Sequence, residues 1–219
     1  MIFISTLSSS NDIFEQCRQG KLSEIKNTDA AQIRQRDENG RTILHEAARY
    51  GHIDIINYIL DQSIFRLDVT DDMSSTPLHE AAYYGQLEVI NSFLNDYDIN
   101  IQNAFGYTLF HLAALGGHAE IVHHFYRQGA DFNIRSIQSE NILHFSAQSG
   151  DSNTIDFICF ISNRDYQCDI SIHDADAQGR IPLDYLRNRH GLAFNLLSGR
   201  LETIYEGTET VGCTCPTSY

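Results

Sequence analysis

The sequence predicts an all-α repeat solenoid, and three observations carry that expectation. A short helical segment recurs at nearly constant spacing. Each copy runs into a glycine and is followed by a second, apolar helix. The composition, 42% hydrophobic and 20% charged, is that of a soluble globular chain able to bury a core.

The recurring segment is Thr42-Ile43-Leu44-His45-Glu46-Ala47-Ala48. It returns as Thr76-Pro77-Leu78-His79-Glu80-Ala81-Ala82, as Thr108-Leu109-Phe110-His111-Leu112-Ala113-Ala114 and, more loosely, as Asn141-Ile142-Leu143-His144-Phe145-Ser146-Ala147. The histidines stand 34, 32 and 33 residues apart. Thr42, Thr76 and Thr108 occupy N-cap positions, where a hydroxyl serves the free N–H groups of the first turn. Pro77 follows at the first helical position, where a missing N–H costs nothing. The paired alanines let neighbouring first helices approach closely. Gly51, Gly85, Gly117 and Gly150 fall at the helix ends, where a left-handed residue is wanted.

The second helices carry Ile53, Ile55, Ile56, Ile59 and Leu60; Leu87, Val89, Ile90, Phe93 and Leu94; and Ile121, Val122, Phe125 and Tyr126. Spacings of three and four define one apolar face. Gly129-Ala130-Asp131-Phe132-Asn133 then leads into the next turn.

These segments resemble the ankyrin repeat, whose period is about 33 residues and whose signature is Thr-Pro-Leu-His-x-Ala. The resemblance covers about residues 11 to 205. It implies helix-turn-helix units joined by β-turn or hairpin loops, about six in all including two caps. The expected units are an N-cap repeat at 11–36, repeats at 37–70, 71–102, 103–135 and 136–175, and a C-cap repeat at 176–205. Residues 1–10 form an N-terminal extension and 206–219 a flexible tail. In the last repeat Asp184 stands where the histidine belongs. From His144 to Asp184 is 40 residues, and the excess falls near 163–169, read as a surface insertion.

Net charge and cysteine usage narrow the functional classes. A formal charge of -14 repels nucleic acid and anionic membrane, so neither is expected as a partner. Lys21 and Lys26 are the only lysines, through compositional drift or because few acceptor lysines help a protein that works beside ubiquitin ligases. Five cysteines without regular spacing favour a reduced, cytoplasmic setting over a disulfide framework. The N-terminus has no signal-peptide pattern, and no apolar stretch approaches the roughly 20 residues of a membrane span.

No catalytic or metal-binding pattern survives inspection. His45-Glu46 and His79-Glu80 begin like a zinc-protease helix, but Arg49 and Tyr83 occupy the place of its second histidine. The repeated histidines are read as structural ties between adjacent turns. His123 and His124 diverge on their helix, and Cys213-Thr214-Cys215 lacks zinc-site spacing. Cys159, in an apolar helix, reads as an inert core thiol. No metal, cofactor or catalytic residue is expected. An enzymatic reading would have to build its site from the insertion near Cys168 or from Cys213 and Cys215.

The ankyrin resemblance implies protein recognition on a concave face made of turn tips and first helices. The corresponding positions hold Arg49, Tyr50, Met73, Tyr83, Tyr84, Phe105, Tyr107 and Leu115. Such side chains either finish the core edge or form a binding patch, and the patch is favoured because apolar clusters of this size usually have a partner. Glu38, Glu46, Asp71, Asp72 and Glu80 are expected to rim it, selecting a partner with basic residues around an apolar centre. The chain itself is expected to be monomeric.

A compatible reading makes the protein an effector secreted by a bacterium into a host cytoplasm. Its tail, with Glu202, Glu206 and Glu209 before a Thr- and Ser-containing end, resembles type IV secretion signals. Asp98-Ile99-Asn100 and Asp131-Phe132-Asn133 resemble the sites hydroxylated on asparagine in ankyrin proteins, which makes Asn100 and Asn133 candidate modification sites.

Overall fold

A computed structural model describes residues 12–164 and 170–190. The extension at 1–10, residues 165–169 of the insertion, the end of the last repeat, the tail, and Cys168, Cys213 and Cys215 lie outside the described residues. Twelve α-helices and a single 3-10 turn make up the regular structure among the described residues, with no strand.

Each repeat opens with the same turn. Asp37 accepts the N–H groups of Asn39 and Arg41 on one carboxylate oxygen, at 2.9 Å each. Asp71 does so for Met73 and Ser75, Asn103 for Phe105 and Tyr107, and Asp176 for Gln178 and Arg180. Ser136 serves Gln138 and Glu140 through its hydroxyl. A short polar side chain that bonds its own downstream backbone is the cheapest way to fix such a bend. Three residues on, the chain turns left-handed at Gly40, Ser74, Gly106, Ser139 and Gly179.

The first helix then starts from an extended N-cap at Thr42, Thr76 and Asn141. Here the structure adds to the expected cap. The Thr42 N–H donates to His45 Nδ1 at 3.1 Å, and the Thr42 hydroxyl lies 3.0 Å from the same nitrogen. With Nδ1 accepting, the proton sits on Nε2, which donates to the Ser75 carbonyl at 3.0 Å. His79 repeats the arrangement, from Thr76 to the Tyr107 carbonyl. His144 does so from Asn141 to the Arg180 carbonyl, while His111 donates to the carbonyl of Ile134. The histidines are therefore ties between turns. Burial depresses the basicity of all four, His79 and His111 down to about 4. At Asp184 a carboxylate accepts the Ile181 N–H and so keeps the helix-side half of the tie.

The chain divides into two compact units, Met1–Leu109 and Phe110–Tyr219. In the first, α1 (Ile13–Arg18), α4 (Ile43–Tyr50) and α6 (Pro77–Tyr83) are the first helices of successive repeats, α1 packing on α4 and α4 on α6. Their second helices are α2 (Leu22–Lys26), α5 (Ile53–Asp61) and α7 (Leu87–Phe93). Ala47, Ala48, Ala81 and Ala82 are fully buried, as close helix approach requires, with Ile55, Ile56, Ile59, Val89 and Ile90 behind them. A short helix that periodicity does not signal, α3 (Ala30–Ile33), is capped by Asp29 and buries Ile33.

Main-chain bonds knit neighbouring turns together: Asp72 N–H to the Asn39 carbonyl at 3.0 Å and Ala104 N–H to the Met73 carbonyl at 2.8 Å. Side chains knit the helix ends. Gln86 donates to the Arg49 carbonyl at 2.8 Å, and His52 to that of Arg18 at 3.0 Å. Gly51, at φ 78°, faces Gln86 so closely that a Cβ there would collide with its amide oxygen.

In the second unit α8 (Leu109–Gly116) and α10 (Ile142–Ser149) are first helices, paired with α9 (Ala119–Arg127) and α11 (Ser152–Arg164); α12 (Pro182–His190) packs on α10. α11 has 13 residues against 9 in α9, so part of the excess before Asp184 lengthens a helix. Cys159 is buried in α11, its thiol pushed up to about 12 by desolvation.

Candidate protein-binding face

The residues singled out for binding divide between the units. Seven lie in the first. Tyr50, Met73, Tyr83, Tyr84 and Phe105 are exposed by 38–50%, although each is large and apolar in most of its surface. Arg49 and Tyr107 are half-buried. Leu115, on α8 of the second unit, is also half-buried.

The helix ends and turn tips hold these side chains firmly. The Arg49 guanidinium lies over the Tyr84 ring, 4.2 Å from its centroid, and 5.6 Å from that of Tyr50. Tyr83 and Tyr84 meet edge to face at 4.9 Å, and Phe105 leans on Tyr107 at 5.5 Å. Pairs of this kind fix ring orientation before any partner arrives, which lowers the entropy lost on binding. Burial beside Glu80 raises the Tyr84 phenol, which stays neutral and available as a donor.

The acidic rim is smaller than expected. Glu46 is 1% exposed and does not belong to it: Arg18 reaches it at 3.1 Å and Arg41 at 3.7 Å. A carboxylate taken out of water needs such partners, and the helical pattern gave no hint of them. Asp71 is committed to its turn. Glu38 and Asp72 are exposed, and Glu80 is half-buried.

Among the described residues, two exposed large apolar side chains escaped the sequence analysis, both in the second unit. Ile137, 66% exposed, follows Ser136 in its turn, where Glu38, Asp72 and Ala104 stand in theirs. The turn register, eight residues before each histidine, would have found it. Phe160, on α11, has no comparable signal because it sits on an otherwise regular apolar helix.

The two candidate modification sites are half-buried, each with its own N–H bonded at 2.9 Å to the aspartate two residues before it, Asp98 or Asp131. Asn133 also lines an open depression beside Tyr126, Arg127, Ala130, Asp131 and Phe132. Among the described residues no cluster of three metal-ligating side chains occurs, and no helix is long and apolar enough to cross a membrane. Burial raises the thiol of Cys17 as it does that of Cys159, which makes both poor nucleophiles.

A family profile described as ankyrin repeats (3 copies) matches residues 13–103 and again 78–174. No curated protein matches the chain in sequence comparison.

Proposed function

Because the chain belongs to the ankyrin-repeat family, whose members are generally protein-interaction modules, we propose that it holds a partner protein on the turn-tip and first-helix face of its first unit. The carrying observation is the set of five large side chains, Tyr50, Met73, Tyr83, Tyr84 and Phe105, left substantially exposed by an otherwise well-buried core. Arg49 and Tyr107 complete the patch, and Leu115 is its counterpart in the second unit. Tyrosine and arginine are the side chains most often found at the energetic centre of protein interfaces.

The partner presents an apolar centre with basic residues around it, which suits Glu38, Asp72 and Glu80 and a net charge of -14. The same charge disfavours nucleic acid and anionic membrane. The protein works as an adaptor, scaffold or inhibitor in the cytoplasm, monomeric until it meets its partner and without catalytic chemistry of its own.

The test is affinity capture with the wild-type chain and a Tyr83→Ala, Tyr84→Ala, Phe105→Ala triple variant of matched helicity. Proteins held by the wild type and lost by the variant support the face. Equal recovery moves the site elsewhere. The effector reading stands beside this one, resting on the acidic tail. It requires that deletion of residues 206–219 abolish translocation and spare folding, and unchanged translocation would dismiss it.

A further inference from the structure

Two successive repeats place a glutamate at the fourth position of their first helix, and the structure treats the two differently. Glu46 in α4 is clasped from both sides. Arg18, near the end of the preceding first helix, reaches it at 3.1 Å, and Arg41, the last residue of its own turn, at 3.7 Å. Glu80 holds the same place in α6. The residue corresponding to Arg18 is Arg49, and the one corresponding to Arg41 is Ser75.

Neither substitutes for the clasp. Ser75 carries no charge, and its hydroxyl accepts from the Asn103 amide at 3.1 Å. Arg49 has turned onto the aromatic rings, 4.2 Å from the Tyr84 centroid. Arg41 stays engaged with Asp37 at 2.9 Å and with Glu46. Arg41 and Arg49 act on Glu80 only as nearby charges, and no hydrogen bond or ion pair to its carboxylate occurs among the described residues.

Among the described residues Glu80 is thus a half-buried carboxylate without the paired guanidinium that Glu46 has. Tyr83, the last residue of α6, and its C-cap Tyr84 follow Glu80 by three and four residues, so the carboxylate stands on the side of the helix that carries the exposed aromatics. Desolvation raises the Glu80 carboxyl, and the nearby charges of Arg41 and Arg49 offset it only in part.

We propose that Glu80 is the specificity determinant of this face and receives an arginine side chain of the partner protein. The incoming guanidinium takes the position at Glu80 that Arg41 takes at Glu46, with its stem against Tyr83 and Tyr84. This rests on the reading of the face as a protein-binding surface, and narrows it from a basic-rimmed partner to one arginine beside an apolar anchor. Arginine suits the place better than lysine because its planar fork both stacks on aromatic rings and pairs a carboxylate through two N–H groups.

The experiment selects a random dodecapeptide library, displayed on phage, against the wild-type chain and against Glu80→Gln. The expected result is a wild-type consensus with one arginine next to aromatic or aliphatic residues. Synthetic consensus peptide should bind Glu80→Gln at least about tenfold more weakly, with an equal loss when its arginine is replaced by citrulline. Ser75→Arg is the second variant. It supplies the guanidinium from within the chain, as Arg41 does for Glu46, and should abolish peptide binding while the fold is retained by circular dichroism. A consensus of apolar residues without arginine, bound equally by Glu80→Gln, would overturn the inference and leave the face a binder; this is the result expected if Arg49 itself turns onto Glu80. Enrichment of no peptide would overturn both.

Discussion

Acid should unfold this protein well above the pH at which its carboxylates titrate, and the reason lies in the turn-tying histidines. In the unfolded chain a histidine takes up its proton near pH 6.5. In the native state His79 and His111 resist protonation down to about 4, because burial penalises the imidazolium. Protonation would also remove the lone pair by which His79 Nδ1 accepts the Thr76 N–H. Between those limits the unfolded state binds more protons, so stability is full above about pH 6.5 and falls as the pH drops towards 4. Each residue then removes about 2 kcal/mol at pH 5 and about 3 kcal/mol once the effect is complete. Two such losses are a large share of the roughly 5 to 15 kcal/mol that stabilise a typical domain. His45 and His144 shift in the same direction. Glu80, whose carboxyl is raised, works the other way as it protonates. Asp37, Asp174 and Asp176, held below the usual carboxylate range, lose their contributions only at lower pH. Urea titrations followed by circular dichroism at pH 7, 6 and 5 should show the midpoint falling steadily. A midpoint that is flat from pH 7 to 5, or that falls equally in a His79→Gln, His111→Gln variant, would refute the argument.

Removing both Arg18 and Arg41 as alanines strands the Glu46 carboxylate and should cost about 3 kcal/mol in urea unfolding, with a much smaller loss when Glu46→Gln is added. Gly51→Ala forces a side chain into a left-handed position and against Gln86, at about 1 to 2 kcal/mol; a melting temperature equal to wild type would count against that account. Incubation with an asparaginyl hydroxylase should add one oxygen at Asn100 or Asn133, read by intact mass and peptide mapping, and an unchanged mass would remove both sites. Tyr83→Ala, Tyr84→Ala and Phe105→Ala sit on exposed surface, so each should leave thermal stability within about 0.5 kcal/mol of wild type; a larger loss would make them core-edge residues.

The repeat and its period were legible because they are local: a cap, a histidine three residues into the helix and a glycine at its end lie within ten residues of one another. The turn was equally local, yet its marker is chemically mixed. Asp37, Asp71, Asn103, Ser136 and Asp176 do the same work through different oxygens, so identity in the sequence does not reveal them. What could not be read were contacts reaching across a repeat. Glu46 and Glu80 sit in nearly identical segments; what separates them is Arg41 where the next repeat has Ser75, and Arg18, 28 residues before Glu46, reaching the carboxylate while its counterpart Arg49 lies on Tyr84. The exposure of the five large side chains followed from the repeat pattern, because core positions were already filled. The stacking of Arg49 on Tyr84 did not, since it joins the ends of two different helices.

At their tips the turns of the first unit are joined through main-chain atoms, Asp72 to Asn39 and Ala104 to Met73. A backbone amide is indifferent to the side chain it carries. Positions 38, 39, 72, 73, 104 and 105 are all exposed, so their residues can be exchanged without loosening the scaffold. On the proposed binding face these six positions are interchangeable letters on a fixed mounting. Directed libraries at those six positions should retarget the molecule at little cost to folding, and natural drift there would change its recognition before it changed its architecture.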